Sequence, residues 1–325
     1  MNETKANKRG FFQSDAFRLF MGKYGIGVIL FIILVGLSIA EPNFRSSRNL
    51  INVAKQVAIN GSIAYGMCLV ITAGGIDLTV GSQLALAAVL LGEFVMKQDW
   101  PVLPACILTV VITTALGMIN GVLISKFNMF PFVVTLSMQL VIRGIAQVIS
   151  NAQAISITNA TLKAVYTGKL GAIPVPVVIL LILTLIMYIL LHWTKLGRYI
   201  LAVGGNEKAA VASGVNVFWT KVMTYTISGF TAGLAGIILC AKTSSAQSNL
   251  GVGYETDAIA ACVIGGTSFA GGVATVPGTL MGTVIIGLIY NGMNMVGISS
   301  YYQSIVKGCM IILSVLFDKI INRKK

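Results

Sequence analysis

Residues 68–84, CLVITAGGIDLTVGSQL, place one carboxylate inside an otherwise apolar run. Asp77 lies between the Gly74-Gly75 pair and Gly81, with Thr79 and Ser82 beside it. A charge at the centre of a membrane-spanning helix costs at least about 2.5–3.5 kcal/mol on insertion scales. It is tolerated where protein or a water-filled cavity satisfies both the charge and the backbone groups freed by a glycine break. Two roles follow for such a residue. Asp77 or Thr79 caps the helix that starts near residue 80, or Asp77 lines or gates a path through the bilayer. GGVATVPGT at 271–279 reads against GGIDLTVGS at 74–82. Paired broken segments in two parts of a membrane protein point to a transport path. Arg143, Asp257 and Lys307 also lie in or near apolar runs. Arg143 has Asp77, Asp257 or backbone carbonyls as candidate partners. Glu93 sits in another apolar run, near Lys97 and Asp99, and reads as an interfacial group without a functional role.

The elements that would hold these residues are hydrophobic helices. The chain is 56% hydrophobic and 10% charged, with mean hydropathy +0.87, whereas soluble domains are about 25% charged. It reads as an all-α integral membrane protein, a polytopic bundle of about ten transmembrane helices with glycine-broken segments. Candidate spans are 24–40, 54–73, 79–96, 101–124, 131–150, 174–192, 220–241, 278–296 and 299–318, with 256–270 as a weaker tenth that spans or enters and returns. Net charge +13 does not mark a nucleic-acid partner, because the basic residues sit at the chain ends and in loops. Lys5, Lys8, Arg9, Arg18 and Lys23 precede the first span; Lys195, Arg198, Lys208 and Lys221 fall in the loop 193–221; Lys319, Arg323, Lys324 and Lys325 end the chain. The positive-inside rule puts all three segments in the cytoplasm. The expected organisation is a cytoplasmic segment 1–23, a transmembrane domain 24–318 with the cytoplasmic loop 193–221, and a basic tail 319–325. The apolar run after the basic N-terminus is too long for a cleavable signal. Both ends inside requires an even number of crossings. The loop 41–55, with Arg45, Arg48 and Lys55, is basic for an outer loop, and the rule does not explain it.

Cys68, Cys106, Cys240, Cys262 and Cys309 form no CxxC and read as small core hydrophobes. The single histidine, His192, precedes Trp193 at a span end and reads as interfacial. The pairs Gly117/Gly121, Gly229/Gly233 and Gly278/Gly282 read as close helix packing within the bundle. One histidine leaves no Ser-His-Asp set, and there is no HExxH and no metal-spaced Cys/His cluster. G-x-x-x-x-G-K-[ST] is also absent, so the chain has no phosphate cradle of its own.

The loop TKLGRYILAVGGNEKAAVASGVNV (194–217) is too organised for a simple connector. Asn206 suits an N-cap, Glu207 opposes the dipole in the first turn, Ala209 to Ala212 favour helix, and Gly214 suits the left-handed C′ position. The expected helix has about two turns, roughly 12 Å, too short to be stable without a partner surface. That surface is either another protein or the flank of its own bundle.

This loop, the GGIDLTVGS turn and the run SSAQSNLGVGYETDAIAACVIGGTSFAGG…GISSYYQSIVKG together resemble the permease subunits of ribose-type ABC importers, the group serving ribose, xylose, arabinose and galactosides. The resemblance extends from about residue 24 to 318 and is nearest to ribose permeases in SSAQ…GYETDAIAA and SSYYQSIVK. It implies a channel of two permease copies in the cytoplasmic membrane, ATP-binding subunits that use ATP and Mg below it, and an extracytoplasmic sugar-binding protein. The permease itself would be no enzyme and bind no cofactor. Gly205, Asn206, Glu207, Ala209, Ala210 and Gly214 match the segment that couples to the ATPase. An uncharged sugar needs hydroxyl-compatible partners and no strong charge trap. The candidate path or gate residues are then Asp77, Thr79, Gln139, Arg143, Asn291, Asn294 and Gln303, with Gln147 as a further polar group. Two alternatives remain: import of another sugar or sugar-derived signal, and an ion-coupled secondary transporter built on Asp77, Arg143 and Glu93.

Overall fold

The computed structural model describes residues 15–322. Lys5, Lys8, Arg9, Arg323, Lys324 and Lys325 lie outside the described residues, as do the side chains of Arg18, Lys23 and Lys319, so the expected terminal segments are not described beyond these limits. The chain is helical almost throughout. Helix α1 (Asp15–Ala40) leads through a 3-10 turn, Pro42–Arg45, into α2 (Ser47–Thr72), which Ser46 caps by accepting from the Asn49 N–H at 3.3 Å. After the first glycine break come α3 (Val80–Leu91), continued by a π-helical turn at Gly92–Lys97, then α4 (Val102–Lys126) and α5 (Pro131–Ser150). A loop with a short helix α6 (Ala160–Thr167) precedes α7 (Val175–Trp193). Two short helices, α8 (Lys195–Gly205) and α9 (Glu207–Ala212), precede α10 (Val217–Thr243). Helix α11 (Tyr254–Ile264), the second break, α12 (Val276–Met295) and α13 (Ser300–Asn322) complete the chain.

Seven helices among the described residues are long and apolar enough to cross a membrane: α2, α3 with its π turn, α4, α5, α7, α10 and α12. Of the other expected spans, 24–40 falls in α1, whose apolar part is Ile26–Ala40, and 299–318 falls in α13. The weak candidate 256–270 overlaps the 11-residue α11, only ~16 Å long, half of a hydrocarbon core.

Burial separates the helices into centre and rim. Every residue of α3 is buried, and α2 is buried from Val57 onward. The rim helices α4, α5 and α7 show exposed apolar residues such as Leu103, Ile107, Leu140, Val148 and Leu185, the pattern of a lipid-facing surface. The glycine pairs are seams within the chain. A Cβ on Gly117 would meet the Tyr225 carbonyl oxygen of α10, and one on Gly229 would meet the Thr113 carbonyl oxygen of α4. Gly278 and Gly282 of α12 likewise face the Gly265 and Ala261 carbonyl oxygens at the end of α11. Close backbone contact of this kind supplies the van der Waals packing that helices need where lipid is as apolar as leucine.

Three of the cysteines, Cys68, Cys240 and Cys262, are buried as expected, and all five are free thiols. Cys309 corrects that expectation: it is exposed, because α13 packs by one side against α11 and Cys309 lies on another. Cys106 is only half-buried. His192 lies exposed at the end of α7, stacked on Tyr188 at 4.4 Å beside the 71% exposed Trp193, as an interfacial residue would. Glu93 pairs with Lys97 at 2.9 Å in the π turn.

Two short antiparallel pairs lie in the loops: β1 (Ile155–Ser156) after α5 pairs with β4 (Ser245–Ala246) after α10, and β2 (Lys169–Leu170) forms a hairpin with β3 (Ile173–Pro174) between α6 and α7.

Candidate functional site

The two breaks are built alike. Helix α2 ends with the Gly74 N–H donating to the Ile71 carbonyl and the Gly75 N–H to the Val70 carbonyl, both at 2.9 Å, with Gly74 at φ +81°. Helix α11 ends the same way: Gly266 donates to Val263 and Thr267 to Cys262, both at 2.9 Å, with Gly266 at φ +85°. These are left-handed C′ caps, which favour glycine because it has no Cβ. The structural counterpart of Gly74 is therefore Gly266, not Gly271 as the sequence match suggested. At the following helix starts the match is off by one: Thr79 and Thr275 stand at the N-cap positions of α3 and α12, whereas the match sets Thr79 against Val276, and only Thr275 caps through its side chain. Helices α2 and α11 run side by side in the same direction. The Cys262 thiol donates to the Ala64 carbonyl at 3.2 Å, Cys68 Sγ lies 3.5 Å from Thr267 Oγ1, and the Gly272 N–H donates to the Thr72 carbonyl at 2.9 Å. The two broken units are thus parallel, a question the sequence left open.

Asp77 sits in the first break with none of its side chain exposed. Its Oδ1 accepts from the Thr79 N–H at 3.0 Å and from the Thr79 hydroxyl at 2.5 Å; its Oδ2 accepts from the Ser228 hydroxyl of α10 at 2.7 Å. Thr79 Oγ1 in turn accepts from Gln83 Nε2 at 2.7 Å and Asn120 Nδ2 of α4 at 3.0 Å. Tyr225 of α10 donates to the Ile76 carbonyl at 3.3 Å. A buried carboxylate with three donors is well satisfied. The geometry is that of a latch, holding the start of α3 against α4 and α10; the expected cap is not there, because Thr79 makes no side-chain cap bond and Asp77 reaches no backbone N–H beyond that of Thr79.

The other candidate residues fall into separate places. Arg143 is partnered by carbonyls, not by a carboxylate: its Nη1 donates to the Ser248 and Leu250 oxygens at 2.5 and 2.7 Å, clasping the segment before α11. Gln139 is half-buried one turn earlier on α5, and Gln147 is exposed one turn later. Asn291 of α12 exchanges hydrogen bonds with Asn49 of α2 at 2.8 and 3.0 Å. Gln303 of α13 donates to the Asn294 side chain at 2.8 Å and the Ile298 carbonyl at 3.0 Å. The sequence did not single out Asn49, Asn120 or Ser228, whose roles depend on which helices meet. Asp257 pairs with Lys307 at 2.7 Å and accepts from the Tyr290 hydroxyl at 2.7 Å. The Lys307 ammonium also donates to the Gly253 carbonyl at 2.9 Å, so α11, α12 and α13 meet at one ionic cluster. Beside it, Glu255 accepts from the Gly253 N–H at 3.2 Å.

The loop 193–221 folds as two helices where one was expected. Thr194 caps α8 by accepting from the Gly197 N–H at 3.1 Å, and Ile200 and Val203 are buried, turning one face of α8 into the bundle. Asn206 caps α9 as its type suggested, accepting from the Ala209 N–H at 3.0 Å. Gly214 ends it at φ +79°, with its N–H on the Val211 carbonyl at 2.9 Å. Helix α9 has six residues, ~9 Å, shorter than expected because Ser213 already leaves the helix. Only Ala210 is buried; Ala209 and Ala212 are exposed and Val211 is 59% exposed. Glu207 is tied to Lys221 of α10 at 2.8 Å. The segment therefore stands out from the bundle with a small apolar tip, fixed at its base.

The comparisons with known proteins agree with this architecture. Residues 49–315 match the family described as the permease component of the branched-chain amino acid transport system. The chain belongs to this permease family. Among its relatives, a ribose import permease protein of Bacillus subtilis (strain 168) is 45% identical over 301 residues, covering 92% of this chain and 93% of the relative. A ribose import permease protein of Escherichia coli (strain K12) is 43% identical over 303 residues, covering 92% and 93%. A D-allose transport system permease protein of the same strain is 37% identical over 308 residues, covering 94% of each. No solved structure matches the chain. The resemblance to ribose-type ABC permeases drawn from the motifs holds, and the permease is a multi-pass membrane transport protein.

Proposed function

We propose that this permease is the translocating subunit of an ATP-driven importer that carries ribose or a closely related monosaccharide across the cytoplasmic membrane. The observation that carries the reading is α9: a capped helix of six residues, exposed on its apolar side and too short to hold its shape alone. It is pinned by the Glu207–Lys221 pair and offers Ala209, Val211 and Ala212 to a partner groove. That partner is the ATPase, which supplies the ATP and Mg chemistry for which the permease has no phosphate cradle. Gly205, Asn206, Glu207, Ala209, Ala210 and Gly214 form the docking segment. A second permease copy completes the channel and an external binding protein delivers the sugar; the relatives named as ribose import permeases support the choice of sugar.

The loop 193–221 and both chain ends are cytoplasmic, and the permease crosses ten times, α11 with its preceding segment being one crossing. The geometry supports this. The Thr72–Gly272 hydrogen bond gathers the ends of α2 and α11 on one side, while the Asn49–Asn291 pair sets the end of α12 beside the start of α2 on the other. Asn291, Asn294 and Gln303 then lie near the outer mouth. Arg143 shapes the segment 247–253, Gln139 and Arg143 face the path, and Asp77 and Thr79 set the inner break. An ion-coupled mechanism has no observation in its favour, since Asp77, Arg143 and Glu93, the residues it was built on, are each engaged by protein groups.

The deciding experiment is co-purification of the tagged permease with its ATPase, repeated with 206–214 replaced by a flexible Gly/Ser linker. The parent retains the ATPase and the variant loses it while still inserting. Retained binding in the variant would move the docking surface elsewhere, and no binding by the parent would reject the ATP-driven reading.

A further inference from the structure

Helix α8 ends against both glycine breaks at once. Gly204 lies so close to the Thr72 carbonyl oxygen, at the end of α2, that a Cβ there would overlap it; the same Cβ would fall 2.5 Å from the Gly272 N. A Cβ on Gly271 would meet the Gly204 carbonyl oxygen at 2.8 Å, and one on Gly272 would meet the Gly205 Cα at 2.7 Å. Gly271 and Gly272 adopt φ +88° and +74°, a conformation that a side chain strains. The Gly272 N–H donates to the same Thr72 carbonyl at 2.9 Å, so three backbones share one point. From that point residues 73–79 lead to the Asp77 latch and α3, and residues 273–275 lead to the Thr275 cap and α12. On the other side, Asn206 follows directly and caps α9. Both broken units are therefore in backbone contact with the segment that presents α9, with no flexible side chain between them. Interfaces packed this tightly move as units rather than absorb displacement.

We propose that Gly204 and Gly272 are positioning residues for transport: they transmit displacement of the α8–α9 segment to both breaks together. This rests on the ATPase-docking role of α9 and adds the route by which docking reaches the path. Their contacts are with backbone at the two breaks and not with the exposed face of α9, so their loss separates docking from uptake.

The test uses the complete importer, permease with ATPase and sugar-binding protein, in liposomes. Gly204→Ala is expected to keep the ATPase bound and ATP hydrolysis running while uptake falls about tenfold or more. Gly36→Ala on α1, where an added Cβ meets nothing within 4 Å, keeps full uptake and controls for helix glycine as such. Normal uptake by Gly204→Ala, or loss of its ATPase, overturns the proposal. A parent permease that never binds an ATPase overturns the docking reading instead. A second measurement needs no variant: hydrogen exchange on the parent complex with and without a non-hydrolysable ATP analogue. Protection at 202–206, 72–77 and 270–274 is expected to change together; change at 202–206 alone rejects the shared route.

Discussion

The Asp77 carboxylate receives three hydrogen bonds, from Thr79 and from Ser228 of α10, with no exposed surface. Replacing it by alanine strands the Ser228 and Thr79 donors in a dry interior. Asp77→Ala should lower the stability of the purified permease by about 1.5–3 kcal/mol, and Asp77→Asn by less, because the amide oxygen still accepts. Thermal unfolding in detergent reads the order directly. An Asp77→Ala protein as stable as the parent but unable to transport would show that the carboxylate acts on the path and not as a latch. Its burial was legible from residue type and setting, since a charge beside two glycines in an apolar run demands partners. Which partners it finds was not, because Ser228 lies 151 positions away on another helix.

At the scale of elements, half-length α11 is held by its neighbours. Asp257 and Lys307 meet at 2.7 Å with side chains 8% and 22% exposed, and Tyr290 of α12 donates to the same carboxylate. A double-mutant cycle on Asp257→Asn and Lys307→Met should give a coupling energy of about 1–3 kcal/mol. A value near zero would mean that α13 does not anchor α11. The exposed Glu207–Lys221 pair should couple by less than about 1 kcal/mol in the same assay, because solvent screens it. The short helix α9 was readable in advance: Asn206 and Gly214 are local signals, and each acts as its type suggests. Helix α8 was not foreseen as a separate element, because Gly204-Gly205 looks like loop sequence until its contacts are known.

For the whole molecule, the topology makes a testable pattern of accessibility. In a background with Cys106 and Cys309 replaced by serine, cysteines introduced one at a time at Gln153 and Ser299 should react with a membrane-impermeant thiol reagent from outside. Cysteines at Asn128 and Lys208 should react only in inside-out vesicles. Ser299 decides the count: if α11 did not cross, the loop after α12 would face the cytoplasm. Labelling of Ser299→Cys only from inside would reduce ten crossings to nine. The same result would detach the C-terminus from the cytoplasmic side, to which the proposed topology assigns it.

The sequence by itself determined the membrane class, the two glycine breaks, the caps of α9 and the family, because hydropathy, capping and left-handed glycine are local properties of a few adjacent residues. Only the tertiary structure decided that the broken units run parallel, that Gly266 answers Gly74, that Arg143 clasps carbonyls, and that Gly204 touches both breaks. These depend on the rotation and depth of helices that are apolar on nearly every side. Lipid and protein interior look alike to such a helix, so its residue pattern does not say which face meets which neighbour.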